Sequence, residues 1–376
     1  MTTKTLLKGL MLFVCFMLLA GCWDKKDLRD NLFVSGIGVD YKEGQYTFYV
    51  QVLNFASIAK TEVRSPDASV AWVGQASDSN PYMAMKKLNE YSSQQNLYYG
   101  HVNCIVLGAE VLKKNISKLF EALYRSSDIR YQTWLFATDQ SIEELFASRS
   151  VLDLSPELTL LHNARPEGPL DYALVPMNKV RLFLKNYEEA GNTVMLPSLS
   201  INSDTWISKG KGAKVIVAKG VYTFYNRQLR GSFPKDSLRG TRWSEGGHAF
   251  PLHVRWSNGE AVMIVTRVRK HITPVVRGSE LVYQMKVSAT MRIDMLSGKL
   301  STAKLTEQVK EEVTEDIIST YERGAAAKVD LLGLEETLHK HHYSLWKKHS
   351  LEKTGKVGRL EPQVEIYIKD SSIFKL

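Results

Sequence analysis

The sequence predicts an α+β protein of three mixed α/β units, built mostly from antiparallel or mixed sheets with packed helices. Three observations carry this reading. Strand-like and helix-like segments alternate through the first half of the chain. In the last part, Tyr283, Met285, Val287, Ala289, Met291 and Ile293 alternate with Gln284, Lys286, Ser288, Thr290, Arg292 and Asp294, the period of two of a strand with one wet face. Val309, Val313, Ile317 and Tyr321 then recur every four residues, the spacing of a long amphipathic helix.

The expected elements follow in order. Leu32 to Val39 and Tyr46 to Leu53 read as strands of a hairpin turning at Lys42-Glu43-Gly44. Pro81 opens a short helix with Met85, Leu88 and Tyr91 on one face, and Val102 to Leu107 is a compact apolar strand. From Val111, the residues Leu112, Ile116, Leu119, Phe120 and Leu123 recur at helical spacing. Arg130 to Ala137 is a further strand. Ser141-Ile142-Glu143-Glu144 is a capping box, and Ser155-Pro156-Glu157 is a second helix start. Residues 191–212 are rich in Gly, Ser, Asn and Lys, the composition of a connecting loop. Val215 to Val217, Val221 to Tyr225, Val254 to Trp256 and Ala261 to Val268 read as strands. Leu331, Leu334, Leu338 and Leu345 mark a second C-terminal helix, and Val364 to Ile368 is the final strand. The expected units are 22–192 (N-terminal α/β), 193–270 (small and β-rich) and 271–376 (C-terminal α+β).

The N-terminus predicts export. Lys4 and Lys8 precede an apolar run from Leu10 to Leu19, followed by Ala20, Gly21 and Cys22. This is a secretory signal over residues 1–21 ending in a lipobox, whose Cys22 thiol takes a diacylglycerol and becomes the new N-terminus. The run is too short for a membrane span, which needs about 20 residues, and Trp23-Asp24-Lys25-Lys26-Asp27 turns polar at once. The expectation is an ectodomain tethered outside the cytoplasm by the lipid on Cys22.

Composition narrows the function classes. Charged residues are 24% and apolar residues 44%, values of a folded rather than a disordered chain. The net charge of +9, lowered by two when Lys4 and Lys8 leave, favours an anionic bilayer or wall. No zinc-finger spacing or long Arg/Lys block points to nucleic acid. Of three cysteines, Cys15 leaves with the signal and Cys22 is the lipidation site. Cys104 then has no disulfide partner, and its apolar neighbours Val102, Ile105, Val106 and Leu107 make it a small core residue.

Chemistry-bearing patterns are sparse. Glu307, Glu311 and Glu315 share a helix face, best read as solvated. Glu335, His339 and His342 fall at i, i+4, i+7 and offer three metal ligands, but beside a leucine stripe where packed histidines are the commoner outcome. Gly36-Ile37-Gly38 lacks the rest of a nucleotide fingerprint. No nucleophile elbow, Walker loop or His-Glu-x-x-His occurs. Tyr91, Tyr98, Tyr99 and His101 form an aromatic cluster for packing or for a partner. Arg267, Arg269 and Lys270 could face lipid headgroups, a partner or solvent. The reading is therefore non-enzymatic, with no cofactor, metal or catalytic residue.

Gly21-Cys22-Trp23-Asp24 with Leu28 and Arg29 resembles the mature start of the C subunits of bacterial spore germinant receptors. Tyr99-Gly100-His101 before an apolar strand and Gly108 is similar to that family's pattern. So are Asp128-Ile129-Arg130 before the strand of Trp134, Leu196-Pro197 with Gly212, and Leu229-Arg230-Gly231. Asp330-Leu331-Leu332-Gly333-Leu334 and Leu345-Trp346 resemble its C-terminal region, although Asp370-Ser371-Ser372 stands where the family usually has a glycine-containing end. The resemblance implies a three-domain lipoprotein without catalytic residues, on the outer face of the spore's inner membrane. Its implied partners are integral-membrane A- and B-type subunits of a nutrient-sensing complex. The alternative is a solute-binding lipoprotein of a transporter, a class that usually shows two similar lobes.

Overall fold

The structure is a computed structural model. It describes residue 11 and residues 31–53, 71–92, 95–125, 128–148, 150–151, 156–164, 174–208, 210–244, 249–298 and 300–369.

Strands β1 (Asn31–Lys42) and β2 (Gln45–Leu53) form the expected hairpin. Glu43 and Gly44 both take positive φ, 52° and 83°, as a two-residue turn between right-twisted strands requires. β3 (Ala71–Asp78) pairs with β2. Helix α1 (Pro81–Glu90) has the Asn80 side chain accepting the Tyr82 N–H, and buries Ala84, Met85 and Leu88. β4 (Asn96–Tyr98) lies along β1, and β5 (Cys104–Gly108) is buried throughout. α2 (Ile116–Arg125) packs Ile116, Leu119, Phe120 and Leu123 inward. β6 (Trp134–Thr138) precedes α3 (Ile142–Ala147). The Ser141 hydroxyl caps α3 by accepting the Glu144 N–H at 3.2 Å, while the Glu144 carboxylate turns away to Lys214 at 2.9 Å.

Next come β7 (Asn178–Lys179), α4 (Val180–Glu188), β8 (Thr193–Asn202), the small hairpin β9 (Ile207–Ser208) and β10 (Lys211–Gly212), β11 (Val215–Tyr225) and β12 (Gln228–Pro234). The first sheet runs β12-β11-β8-β6-β5-β1-β2-β3, with β4 beside β1 and β7 beside β6. Its centre is parallel (β1, β5, β6, β8) and its flanks antiparallel. Helices α1, α2 and α4 cover one face, and α3 with Leu160 and Leu161 covers the other.

The second sheet follows α5 (Thr241–Ser244) and consists of β13 (Phe250–Trp256), β14 (Gly259–Arg277), β15 (Glu280–Ser297) and β16 (Arg359–Lys369). β16 is parallel to β15, so the chain must cross over between them. The crossover is α6 (Thr302–Ala326), α7 (Leu334–His341), α8 (Tyr343–His349) and α9 (Leu351–Thr354). Leu305, Val309, Val313 and Ile317 of α6 join Met285, Val287, Ala289 and Met291 of β15 in one core, as their periodicities require.

Several expectations change. Most of residues 191–212 is strand rather than loop. Gly191 takes φ 76° at the entry, and Pro197 lies just outside the two-residue pairing of β8 with β6, where its missing N–H breaks no ladder bond on that side. The stretch 193–270 divides between the two sheets: β8, β11 and β12 extend the first, and β13 and β14 begin the second. Val221, Tyr225 and Phe233 pack into the core of the second sheet, so the two sheets share apolar surface. At the second expected helix start Ser155 lies outside the described residues, and a 3-10 turn, Pro156–Leu158, forms among the described ones. The expected helix through Leu345 breaks at His342, which leaves Leu345 in α8, and α9 follows after Ser350.

Candidate functional site

Most of the chemistry-bearing residues serve packing. Cys104 is fully buried, its Sγ is 3.9 Å from the Ser35 carbonyl oxygen, and burial pushes its thiol well above the ordinary range. A Cβ on Gly36 would stand 2.9 Å from that Sγ, and one on Gly38 would stand 2.4 Å from Ile142 Cγ2. These glycines let α3 and β5 close on β1. Glu307, Glu311 and Glu315 lie on the open face of α6. Glu335 faces inward and is 0% exposed, whereas the His339 ring packs on Trp346 at 4.5 Å and His342 is exposed at a helix break. The three are therefore not brought together, and among the described residues no group of three or more His, Cys, Asp or Glu is placed to hold a metal. Arg267, Arg269 and Lys270 are exposed on β14 beyond the last residue paired with β13, Val265. Cys22 lies outside the described residues.

The aromatic cluster is split. Tyr99 is buried, whereas Tyr91 and Tyr98 are exposed and the His101 ring packs on Phe33 at 5.2 Å. Tyr91 belongs to a groove of about 460 Å³ lined by Leu32, Val52, Trp72, Leu88 and Leu97. Trp72 is 68% exposed and Tyr91 79%. Strand directions explain why they meet. β3 runs parallel to β1 across the intervening antiparallel β2, so Trp72 near the start of β3 lies at the sheet end where the chain enters at Asn31. α1 returns along β3 and delivers Tyr91 to the same end.

A buried carboxylate pair joins the two sheets. Asp330 Oδ1 accepts the Leu332 N–H at 3.1 Å and Oδ2 accepts the Glu335 N–H at 2.6 Å, capping α7. The Asp330 N–H donates to the Thr193 hydroxyl of β8 at 2.9 Å. Glu335 Oε1 accepts the Leu351 N–H at 3.0 Å and the Tyr283 hydroxyl at 3.4 Å. Burial raises Asp330 to about 6. Burial, reinforced by the Asp330 charge, raises Glu335 to about 8. Sequence reasoning missed this pair; two carboxylates inside the apolar run Leu331, Leu332, Leu334 and Leu338 were the available signal.

A second buried polar group was also missed. His162 places Nδ1 against Asn103 Oδ1 and Nε2 2.8 Å from Gln51 Oε1. Gln51 Nε2 donates to the Phe146 carbonyl at 2.7 Å, and the Ser35 hydroxyl donates to the Gln51 carbonyl at 3.0 Å. Burial lowers His162 to about 4, so it is neutral near pH 7. This network pins the 156–164 segment to Gln51 of β2 and to Asn103 at the entry of β5.

No described helix is long and apolar enough to cross a membrane. Two family models divide the chain. Residues 24–201 match the spore germination protein N-terminal domain, and residues 219–371 match the spore germination B3/GerAC-like C-terminal domain. Spore germination protein KC of Bacillus subtilis (strain 168) is 23% identical over 375 residues, covering 93% of this chain and 90% of that protein. The crystal structure of the GerBC protein superposes with a TM-score of 0.53 at 14% identity, covering 92% of this chain and 99% of that one, and so shares the fold. Both characteristic domains are present in their family order, and the chain belongs to the GerAC-like C-subunit family of spore germinant receptors.

Proposed function

We propose that the chain is a non-enzymatic lipoprotein subunit of a nutrient-sensing germinant receptor, required for germination in response to nutrients. The single observation that carries the reading is the family match over both halves, beginning at residue 24, directly after the lipobox ending in Cys22. A lipid on Cys22 holds the ectodomain to the outer face of the inner spore membrane. Confinement to that plane raises its effective concentration near integral-membrane A- and B-type subunits. The inward-facing Cys104 and Glu335, and the packing glycines Gly36 and Gly38, support a scaffolding rather than a catalytic use of the fold.

The test is to purify the epitope-tagged chain from detergent-solubilised spore membranes. The reading expects an N-terminal peptide beginning at Cys22 with a diacylglycerol mass, and co-purifying integral-membrane subunits. An unmodified Cys22, or a chain recovered alone under conditions that preserve other membrane complexes, contradicts it.

A further inference from the structure

We propose that the aromatic end of the first sheet is a membrane-contacting face that beds into the headgroup region of the bilayer. The proposal rests on the anchoring reading above for its geometry. Cys22 precedes Asn31 by nine residues, and nine residues reach at most about 30 Å when fully extended. A lipid on Cys22 therefore keeps the entry end of β1 within that distance of the bilayer.

The same end gathers exposed apolar side chains. Trp72 and Tyr91 flank the groove. Tyr98 closes β4, which runs parallel to β1 with Phe33 opposite it. Tyr131 precedes β6, whose start is level with that of β5 beside β1. Leu182 lies in the first turn of α4, which is tied to this end by the Val180 N–H donating to the Thr133 carbonyl at 2.9 Å. All five are exposed. Trp and Tyr are the side chains that settle at membrane interfaces, with the ring in apolar surroundings and the polar atom in the headgroups. Arg130 and Arg181 are exposed at this end, and so are Asp128 and Glu90. The charge is mixed, so apolar contact rather than attraction to anionic lipid carries the docking. The two acyl chains of a diacylglycerol on Cys22 hold the protein to the bilayer but leave its orientation free, and a second contact fixes how it stands on that anchor.

The experiment removes the lipid and measures the face alone. The whole mature chain with Cys22→Ala is mixed with vesicles of phosphatidylcholine, with and without phosphatidylglycerol, and the bound fraction is read by sedimentation. The expected result is binding to both. Adding Trp72→Ser and Tyr91→Ser lowers the partition coefficient about tenfold or more, whereas Trp206→Ser leaves it unchanged. Trp206 is exposed after the far end of β8 and so lies away from this face. Circular dichroism confirms that each variant is folded. A fluorophore on Tyr91→Cys shifts to an apolar emission on the vesicles. No vesicle binding, or binding indifferent to Trp72 and Tyr91, overturns the proposal. So does a fluorophore that stays wet on lipid and is shielded only by the integral-membrane subunits, since the face then belongs to a protein. Mass analysis of Cys22 in the native protein is separate, so failure of the anchor and failure of the face are told apart.

Discussion

The Asp330 N–H donates to the Thr193 hydroxyl at 2.9 Å, joining the loop that enters α7 in the second unit to the first residue of β8 in the first sheet. The carboxylate of the same Asp330 caps α7, and Glu335 in that helix reaches Tyr283 and the start of α9. A polar node thus sits where the two sheets share their apolar surface.

Its pH dependence has a definite sign. Asp330 and Glu335 are raised to about 6 and about 8 from 3.8 and 4.5, so the folded state holds protons that the unfolded state releases. Their stabilising contribution is fully present below about pH 4 and is lost as pH rises through 6 and 8. Urea titrations at pH 5.5 and pH 8 should show lower stability at pH 8. Glu335→Gln keeps an acceptor for the Leu351 N–H but cannot ionise. It should flatten that fall and gain about 1–3 kcal/mol over the parent at pH 8. A fall that Glu335→Gln leaves unchanged assigns the pH dependence elsewhere.

His162 acts in the opposite direction. Its folded value of about 4 lies below the unfolded 6.5, so its contribution is present above pH 6.5 and fades as pH falls towards 4. Between pH 5 and 6.5 the histidine's rise opposes the carboxylate pair's fall without cancelling it, so the parent's stability declines gently over that range. His162→Ala removes the ring's contacts with Asn103 and Gln51, leaving Gln51 Oε1 only the Ser35 hydroxyl at 3.1 Å, and should cost about 1–3 kcal/mol at pH 7. It should also remove the histidine's opposing rise, so the urea midpoint falls more steeply from pH 5 to pH 6.5 than in the parent.

Gly38 holds α3 against the first sheet. A Cβ there meets Ile142 Cγ2 at 2.4 Å and Tyr49 Cβ at 3.1 Å. Gly38→Ala should destabilise by about 1–3 kcal/mol through overpacking, and Gly38→Ala with Ile142→Ala should recover part of the contact strain in a double-mutant cycle. Additive losses would show that the two positions do not press on each other.

Local patterns made much of the fold legible. The Glu43-Gly44 turn, the Ser141 cap, the period of β15 and the four-residue repeat of α6 each specify an element from adjacent residues. β8 was hidden because Gly191 just before it and Pro197 within it carry loop chemistry, although β11 pairs with Pro197 in the strand. α4 was missed although Val180, Phe183 and Tyr187 share a buried face. The break at His342 sits inside a leucine pattern that continues across it. The buried polar groups were the least legible, because their partners lie far away in the chain: Thr193 is 137 residues from Asp330, and Gln51 is 111 from His162. The exposed aromatic end of the first sheet likewise depends on strand directions that bring Trp72, Tyr91 and Tyr131 together, which no local pattern announces.

The central claim is that this chain is a germinant receptor subunit that works from the membrane. The most direct measurement is germination of spores lacking the gene, scored against single nutrients and complemented with the parent or with Cys22→Ala. The account predicts loss of the response to at least one nutrient, restored by the parent and impaired with Cys22→Ala. Normal germination of the deletion spores with every nutrient tried would contradict it.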